Sequence, residues 1–274
     1  MDADALIRAR YGALPFAPAD IAPALALLLD RRVTRRYRSD PVPDALLDTV
    51  LAGAQSAPAK SDLQQYSILV TRDAAKIAAV ADAIGSMPWI KEAPVLLLFC
   101  GDIRRGRQLC ALQGRAHAND SVDTFLNASA DAALALGFCV MAAEASGLGT
   151  CPISYVRNHL KLVADLFGLP DGVFPVAGLT LGFPAARNAT SPRLPPSVVV
   201  HRERYDDSGL ASGIDDYDRR RDSIHSIPAD QHRSNAEFGK ADFYGWSEDK
   251  ARQAAKAEGA AFPPYLRAHG FTLD

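Results

Sequence analysis

The chain has 274 residues, 48% hydrophobic, 23% charged and 8% aromatic, with a formal net charge of −2. So high an apolar fraction with so little net charge excludes a mainly disordered chain, and the near-neutral balance argues against nucleic acid as the main partner. The longest strongly apolar runs, Ala22–Leu29 and Val95–Cys100, are too short for a membrane span, and residues 1–10 lack the apolar block of a secretory signal, so the expected setting is the cytoplasm.

In chain order, residues 1–20 read as an N-terminal extension: a short charged helix, then a connector rich in Pro and Ala. Helices are expected over Ala22–Asp30, with Pro23 in the first turn, and over Pro43–Gln55, with Leu46, Leu47, Val50 and Leu51 on one side. Ser67–Thr71 and Val95–Gly101 read as strands, with a helix over Asp73–Ile84 between them. Val122–Ser146 is the longest helical stretch and is apolar nearly all round, which suits a core or a subunit interface. Gly147 and Gly149 end it, Val156–Phe167 follows as a helix, and Phe174–Leu181 and Ser197–His201 read as strands. Residues 202–248 form a polar excursion, and two short helices, Glu248–Ala257 and Pro263–His269, follow. Helices and strands mixed without a regular βαβ alternation give an α+β class.

Cys100, Cys110, Cys139 and Cys151 stand singly, with no CxxC or HExxH spacing, so free thiols are expected and no metal site. Four segments remain as candidates for chemistry, each with a bland alternative. Arg31–Arg38 carries five Arg in eight residues; it reads as a phosphate clamp or as a solvated basic face past a helix end. Ser56–Tyr66 offers small residues for close approach, with Ser61, Asp62 and Gln64 as polar edges and Lys60 as a cation, or is an ordinary helix–strand connector. Gly147–Tyr155 presents amides near a helix start or is a cap and turn, and it lacks the strand–GxGxxG–helix order of a dinucleotide loop. Ser191–Pro196 holds Arg193 between prolines as a stiffly presented guanidinium or as a rigid surface loop.

Taken together, Arg31-Arg-Val-Thr-Arg-Arg-Tyr37, Ala57-Pro-Ala-Lys-Ser-Asp-Leu-Gln64, Ala142–Gly149 running into Val156-Arg-Asn158, and Gly182-Phe-Pro184 with Pro192-Arg-Leu-Pro195 resemble the nitroreductase superfamily. The closer resemblance is to its oxygen-insensitive NADPH nitroreductase and flavin reductase family, over roughly residues 24–205, with Gly245-Trp-Ser247 echoing the family's tail. The resemblance implies an α+β fold, an antiparallel or mixed sheet flanked by helices, and an intertwined homodimer with FMN at two interface sites. It implies an FMN-binding core over residues 21–205, completed as one domain by residues 206–274.

By the same resemblance Arg31, Arg32 and Arg35, with Val33 among them, hold the phosphate and the pyrimidine side of FMN, and Arg193 reaches the phosphate. Ala59, Lys60, Ser61, Asp62 and Gln64 line other flavin contacts, while Pro152, Ile153, Ser154 and Tyr155 lie along the ring. Arg233 matches the arginine used for the 2′-phosphate of NADPH, or is an exposed loop arginine. The implied activity is hydride transfer from NADPH or NADH through FMN, by ping-pong kinetics, to small electron-poor acceptors such as nitroaromatics, quinones or free flavin. No side chain is required as nucleophile or general base. Departures from the family pattern occur at Ala59, Lys60, Asp62, Ser154, Tyr155 and Ser191. They leave open a reductase specialised for an activated alkene or imine, with Tyr155 shaping the substrate space, or a flavin- or nucleotide-binding dimer without turnover.

Overall fold

The computed structural model describes residues 2–19, 21–233 and 235–272. Met1, Asp20, Ser234, Leu273 and Asp274, which belong to the N-terminal extension, the stretch after Arg233 and the C-terminal end, lie outside the described residues. In chain order the elements are α1 (Ala3–Tyr11), α2 (Pro23–Asp30), α3 (Asp44–Gln55), β1 (Tyr66–Thr71), α4 (Ala74–Ile84), β2 (Val95–Asp102), α5 (Arg104–Leu112), α6 (Val122–Ala145), β3 (Gly149–Ile153), α7 (Leu160–Phe167) and β4 (Val173–Gly182). They continue with α8 (Pro196–Val199), α9 (Leu210–His225), α10 (Asn235–Phe238), α11 (Trp246–Ala254) and α12 (Phe262–Ala268). The chain divides into two compact units, one of residues 1–31 and 189–258, the other of residues 32–188 and 259–274.

The second unit is built on an antiparallel sheet in the order β1-β2-β4-β3. Every residue of β2 is buried, which explains why Val95–Cys100 reads as a continuous apolar run rather than an alternating one. On one face Leu97 and Phe99 of β2 and Leu179 and Leu181 of β4 pack against Leu47, Val50 and Ala54 of α3 and Ala132, Ala135, Cys139 and Ala143 of α6. On the other, Leu96, Leu98 and Cys100 meet Ile77, Val80 and Ala81 of α4, with Val163 of α7 and Ile153 of β3. The alanines of α6 have a steric purpose: a Cβ on Gly53 of α3 would come within 2.7 Å of the Ala142 methyl, so the two helices approach closely. By length and composition α6 alone among the described residues passes for a membrane span, yet Ala128, Ala132, Ala135 and Cys139 are fully buried against the core. A third cluster joins Phe174 of β4 and Ile103 to Leu266 and Phe271 at the C-terminal end.

The four cysteines form no disulfide, as expected; burial pushes the Cys139 thiol up to about 12 and the Cys100 thiol higher still. Several local expectations change. Gly149–Ile153 is a strand despite its Gly and Pro, because β3 is an outer strand where the missing amide of Pro152 is tolerated opposite Leu179. The helix expected over Val156–Phe167 opens as a 3₁₀ turn over Ser154–His159 and is α-helical only in α7. Arg104–Leu112 forms α5, which was not foreseen: Leu109 and Leu112 face solvent, so no inward apolar stripe marks it. Ser197–His201 is no strand; Pro196 starts the short α8, and Val199 and Val200 are exposed without a ladder partner. The polar excursion contains the sixteen-residue α9, marked by the Asp215–Arg219 pair one turn apart (2.9 Å) and by buried Tyr217 and Asp218.

Candidate functional site

Ser61, Asp62 and Gln64 adopt φ of 52°, 56° and 49°, the left-handed region that side chains rarely occupy. Two side chains of opposite charge hold this loop. Asp131 of α6, 1% exposed, accepts the backbone amides of Lys60 and Gln65, both at 2.9 Å. Arg105 of α5 donates to the carbonyls of Gln64 (2.6 Å) and Tyr66 (3.1 Å) and to Ser67 Oγ (3.1 Å). Asp102 accepts from Ser67 Oγ (2.6 Å) and from the Arg105 amide (3.1 Å). So fixed, the loop leaves the side chains of Lys60, Ser61, Asp62 and Gln64 exposed and Ala59 half-buried, with Gln64 Nε2 donating to Asp62 Oδ1 at 3.1 Å. Beside it lies a 470 Å³ groove walled by Leu51, Leu63 and Ile68, with Gln55, Gln64, Ser67 and Arg105 as its polar edge. The groove is mixed in character, with an apolar wall facing an extensive polar edge.

The arginine-rich segment lies along the outer edge of β3. Val33 bridges Thr150 in parallel, the Thr34 amide donates to the Thr150 carbonyl at 2.9 Å, and Asn188 Nδ2 donates to the Val33 carbonyl at 2.6 Å. Thr34 and Tyr37 point inward; the Tyr37 hydroxyl donates to the Thr34 carbonyl (2.8 Å) and meets Thr180 Oγ1 at 2.7 Å. A Cβ on Gly149 would collide with the Thr34 side chain, so this approach needs glycine. Arg32 and Val33 are half-buried and Arg35 is exposed, its guanidinium 5.7 Å from the Trp89 ring centroid. Arg38 is committed to Asp40 (2.8 Å) and to the face of Phe183. The structure therefore brings Arg32–Arg35 beside the strand that leads into Pro152–Tyr155. There Pro152 and Ser154 are exposed and Tyr155 is half-buried, while the Ile153 side chain is sealed in the core, leaving only its backbone for a ligand.

Arg31 and Arg193 fall in the first unit, and there they are joined through Arg10 of α1, which bonds the carbonyls of Leu29, Arg31 and Ser191. Arg193 is exposed and Arg31 half-buried. Arg233, also in this unit, is exposed; its Nε donates to Asp249 Oδ1 at 3.0 Å and its amide to the Tyr244 hydroxyl at 2.7 Å. Asp249 is buried, which works to raise its pKa, but Lys250, Arg233 and the Tyr244 hydroxyl outweigh that and hold the carboxyl below its usual range. Buried Arg252 gathers the Arg233 carbonyl, Asn235 Oδ1 and the Gly239 carbonyl around itself. Among the described residues no three metal-ligating side chains converge.

Asp131, Arg105 and Arg10 were missed by the sequence reading. Asp131 left one signal, an acid in the middle of an alanine-rich apolar helix; the other two look like ordinary surface arginines. A pH dependence follows from the buried phenols. Burial raises the pKa of Tyr37, Tyr66 and Tyr265, the last to about 12. The folded protein therefore keeps protons that the unfolded chain releases near pH 10. With the buried Cys100 and Cys139 thiols adding the same effect from about pH 9, stability is expected to fall as pH rises from about 9 toward 12, checked by denaturation midpoints at about pH 8 and about pH 11.

The sequence model of the nitroreductase family matches residues 28–183, and that of the nitroreductase family C-terminal domain matches residues 191–274. An FMN reductase (NAD(P)H) of Bacillus subtilis is 37% identical over 198 residues, 70% of this chain and 79% of the relative. An oxygen-insensitive NADPH nitroreductase of Salmonella typhimurium is 34% identical over 187 residues, 68% and 75% of the two chains. Among solved structures, the hypothetical oxidoreductase YcnD of B. subtilis superposes with a TM-score of 0.83 at 32% identity, covering 93% of this chain and all of its own. With both matched spans and an antiparallel sheet flanked by helices, the chain belongs to the nitroreductase family.

Proposed function

We propose that the protein is an FMN-dependent NAD(P)H oxidoreductase acting on small electron-poor acceptors: nitroaromatics, quinones or free flavin. The observation that supports this reading is the Val33–Thr150 bridge, which runs the Arg32–Arg35 backbone along β3, the strand that continues into Ser154-Tyr155. FMN, when bound, would supply the hydride-transfer chemistry between NAD(P)H and the acceptor, for which ping-pong kinetics are proposed. The rest falls to the chain. Arg31, Arg32, Arg35 and Arg193 neutralise the phosphate and the pyrimidine edge with forked hydrogen bonds. Ala59, Lys60, Ser61, Asp62 and Gln64 offer a pre-shaped polar edge, and Pro152–Tyr155 line the ring, with Tyr155 narrowing the acceptor space. Arg233 takes the 2′-phosphate of NADPH in exchange for Asp249.

The chain is proposed to work as a homodimer, supported by the exposed apolar residues Val122, Leu126, Leu134 and Phe138 along α6 and by the outer edge of β1. Four cysteines outside any disulfide support a cytoplasmic setting. Purified protein mixed with FMN and desalted is expected to retain a flavin absorption spectrum that NADPH bleaches anaerobically and an acceptor restores. A folded protein that retains no flavin overturns the reading; retained flavin that NADPH does not bleach turns it into a binding protein. The Ser154-Tyr155 pair favours one second reading, a reductase specialised for an activated alkene or imine. Rates across an acceptor panel separate the two, comparable turnover of nitroaromatics and quinones excluding the specialist.

A further inference from the structure

Arg10 lies in α1, ahead of both spans that the family models match. It is 5% exposed, so its guanidinium has no access to a ligand. Its donors reach two chain segments far apart in sequence: Nε to the Leu29 carbonyl at 2.8 Å, one terminal nitrogen to the Arg31 carbonyl, and the other to the Ser191 carbonyl at 3.0 Å. Its own carbonyl accepts the Arg193 amide at 2.8 Å. The Arg193 carbonyl in turn takes a bond from Arg220 at 2.7 Å, and Arg220 stacks 5.5 Å from the Tyr217 ring. Arg193 thus has both backbone groups held, while its side chain is exposed.

We propose that Arg10 is a positioning residue that sets Arg31 and Arg193 as a pair for the phosphate of the flavin nucleotide. The inference rests on the reading of Arg31 and Arg193 as phosphate ligands. A planar guanidinium with donors in fixed directions locks the carbonyls of Leu29, Arg31 and Ser191 in one arrangement, which a flexible ammonium cannot do. The ordering of two long cationic side chains is then completed before the anion arrives, and the anion meets a pre-organised pair.

The test compares FMN with riboflavin, which lacks only the phosphate, by quenching of flavin fluorescence on the full chain and on Arg10→Lys. The wild-type chain is expected to bind FMN far more tightly than riboflavin. Arg10→Lys is expected to weaken FMN binding at least about tenfold while riboflavin affinity stays within about twofold, a selective loss that general destabilisation does not produce. An Arg10→Lys protein with the wild-type preference for FMN overturns the proposal. A wild-type chain with no preference for FMN overturns the phosphate role of Arg31 and Arg193, and this proposal with it. Should Arg10→Lys fail to fold, amide exchange on the wild-type chain decides. Residues 3–11 are expected to gain protection with FMN and not with riboflavin, and equal protection by both overturns the coupling.

Discussion

Asp131→Ala is expected to lower stability by about 3–5 kcal/mol, read as a shift of the denaturation midpoint with unchanged slope. The substitution leaves the part-buried amide of Lys60 and the buried amide of Gln65 without their acceptor, at up to about 1–3 kcal/mol each. Three residues whose left-handed conformations are each unfavourable by about 1–2 kcal/mol are then free to relax, which offsets part of that loss. Asp131→Asn keeps the shape and one acceptor oxygen but turns an amide nitrogen toward a donor, so an intermediate loss is expected. Ser61→Gly, which removes the left-handed penalty at one position, is expected to recover about 1 kcal/mol in the Asp131→Asn background. An Asp131→Ala protein as stable as its parent would show that the loop finds other acceptors. The functional consequence is that the conformation of residues 60–65 is set by a helix more than sixty residues away.

Phe174→Ala is expected to cost about 3–5 kcal/mol, measured by chemical denaturation. The ring is fully buried, with the Phe125, Phe271 and Phe262 centroids at 5.0, 5.3 and 6.2 Å. It occupies the space over Gly101, where a Cβ would overlap it. Removing it leaves a cavity between β4, α6 and the C-terminal helix α12, so amide protection in residues 262–271 is expected to fall together with global stability. Phe174→Leu, which fills most of the same space, is expected to lose about half as much. If Phe174→Ala left protection in residues 262–271 unchanged, the C-terminal helix would be held by contacts other than this cluster.

The contrast between these two positions shows how much of the molecule was legible in its sequence. Phe174 announced itself: it opens a run of strand character, and such runs are buried for reasons local to the run. Asp131 showed only as an acid within an apolar helix, because its acceptor role exists only once α6 lies under the 59–65 loop. The same divide runs through the candidate site. Arg31–Arg35, Ala59–Gln64 and Pro152–Tyr155 stood out as residue types in order along the chain, and the structure places Arg32–Arg35 beside β3. Left-handed φ values at Ser61, Asp62 and Gln64 had no such signal, since none is glycine. Nor was Arg10 distinguishable from its neighbour Arg8, although one is buried on three carbonyls and the other exposed.

By itself, then, the sequence determined the α+β class, the helices α3, α4 and α6, the buried strand β2 and the ordered set of arginine and loop motifs. All of these follow from side-chain periodicity and composition within a few turns of chain. Only the tertiary structure decided that Gly149–Ile153 is a strand, that Ser197–His201 is not, and that the polar stretch after Arg202 contains a sixteen-residue helix. It alone also decided which buried charged groups hold the candidate site. A strand needs a ladder partner and a buried charge needs hydrogen-bonding partners, and both are supplied by residues distant in sequence.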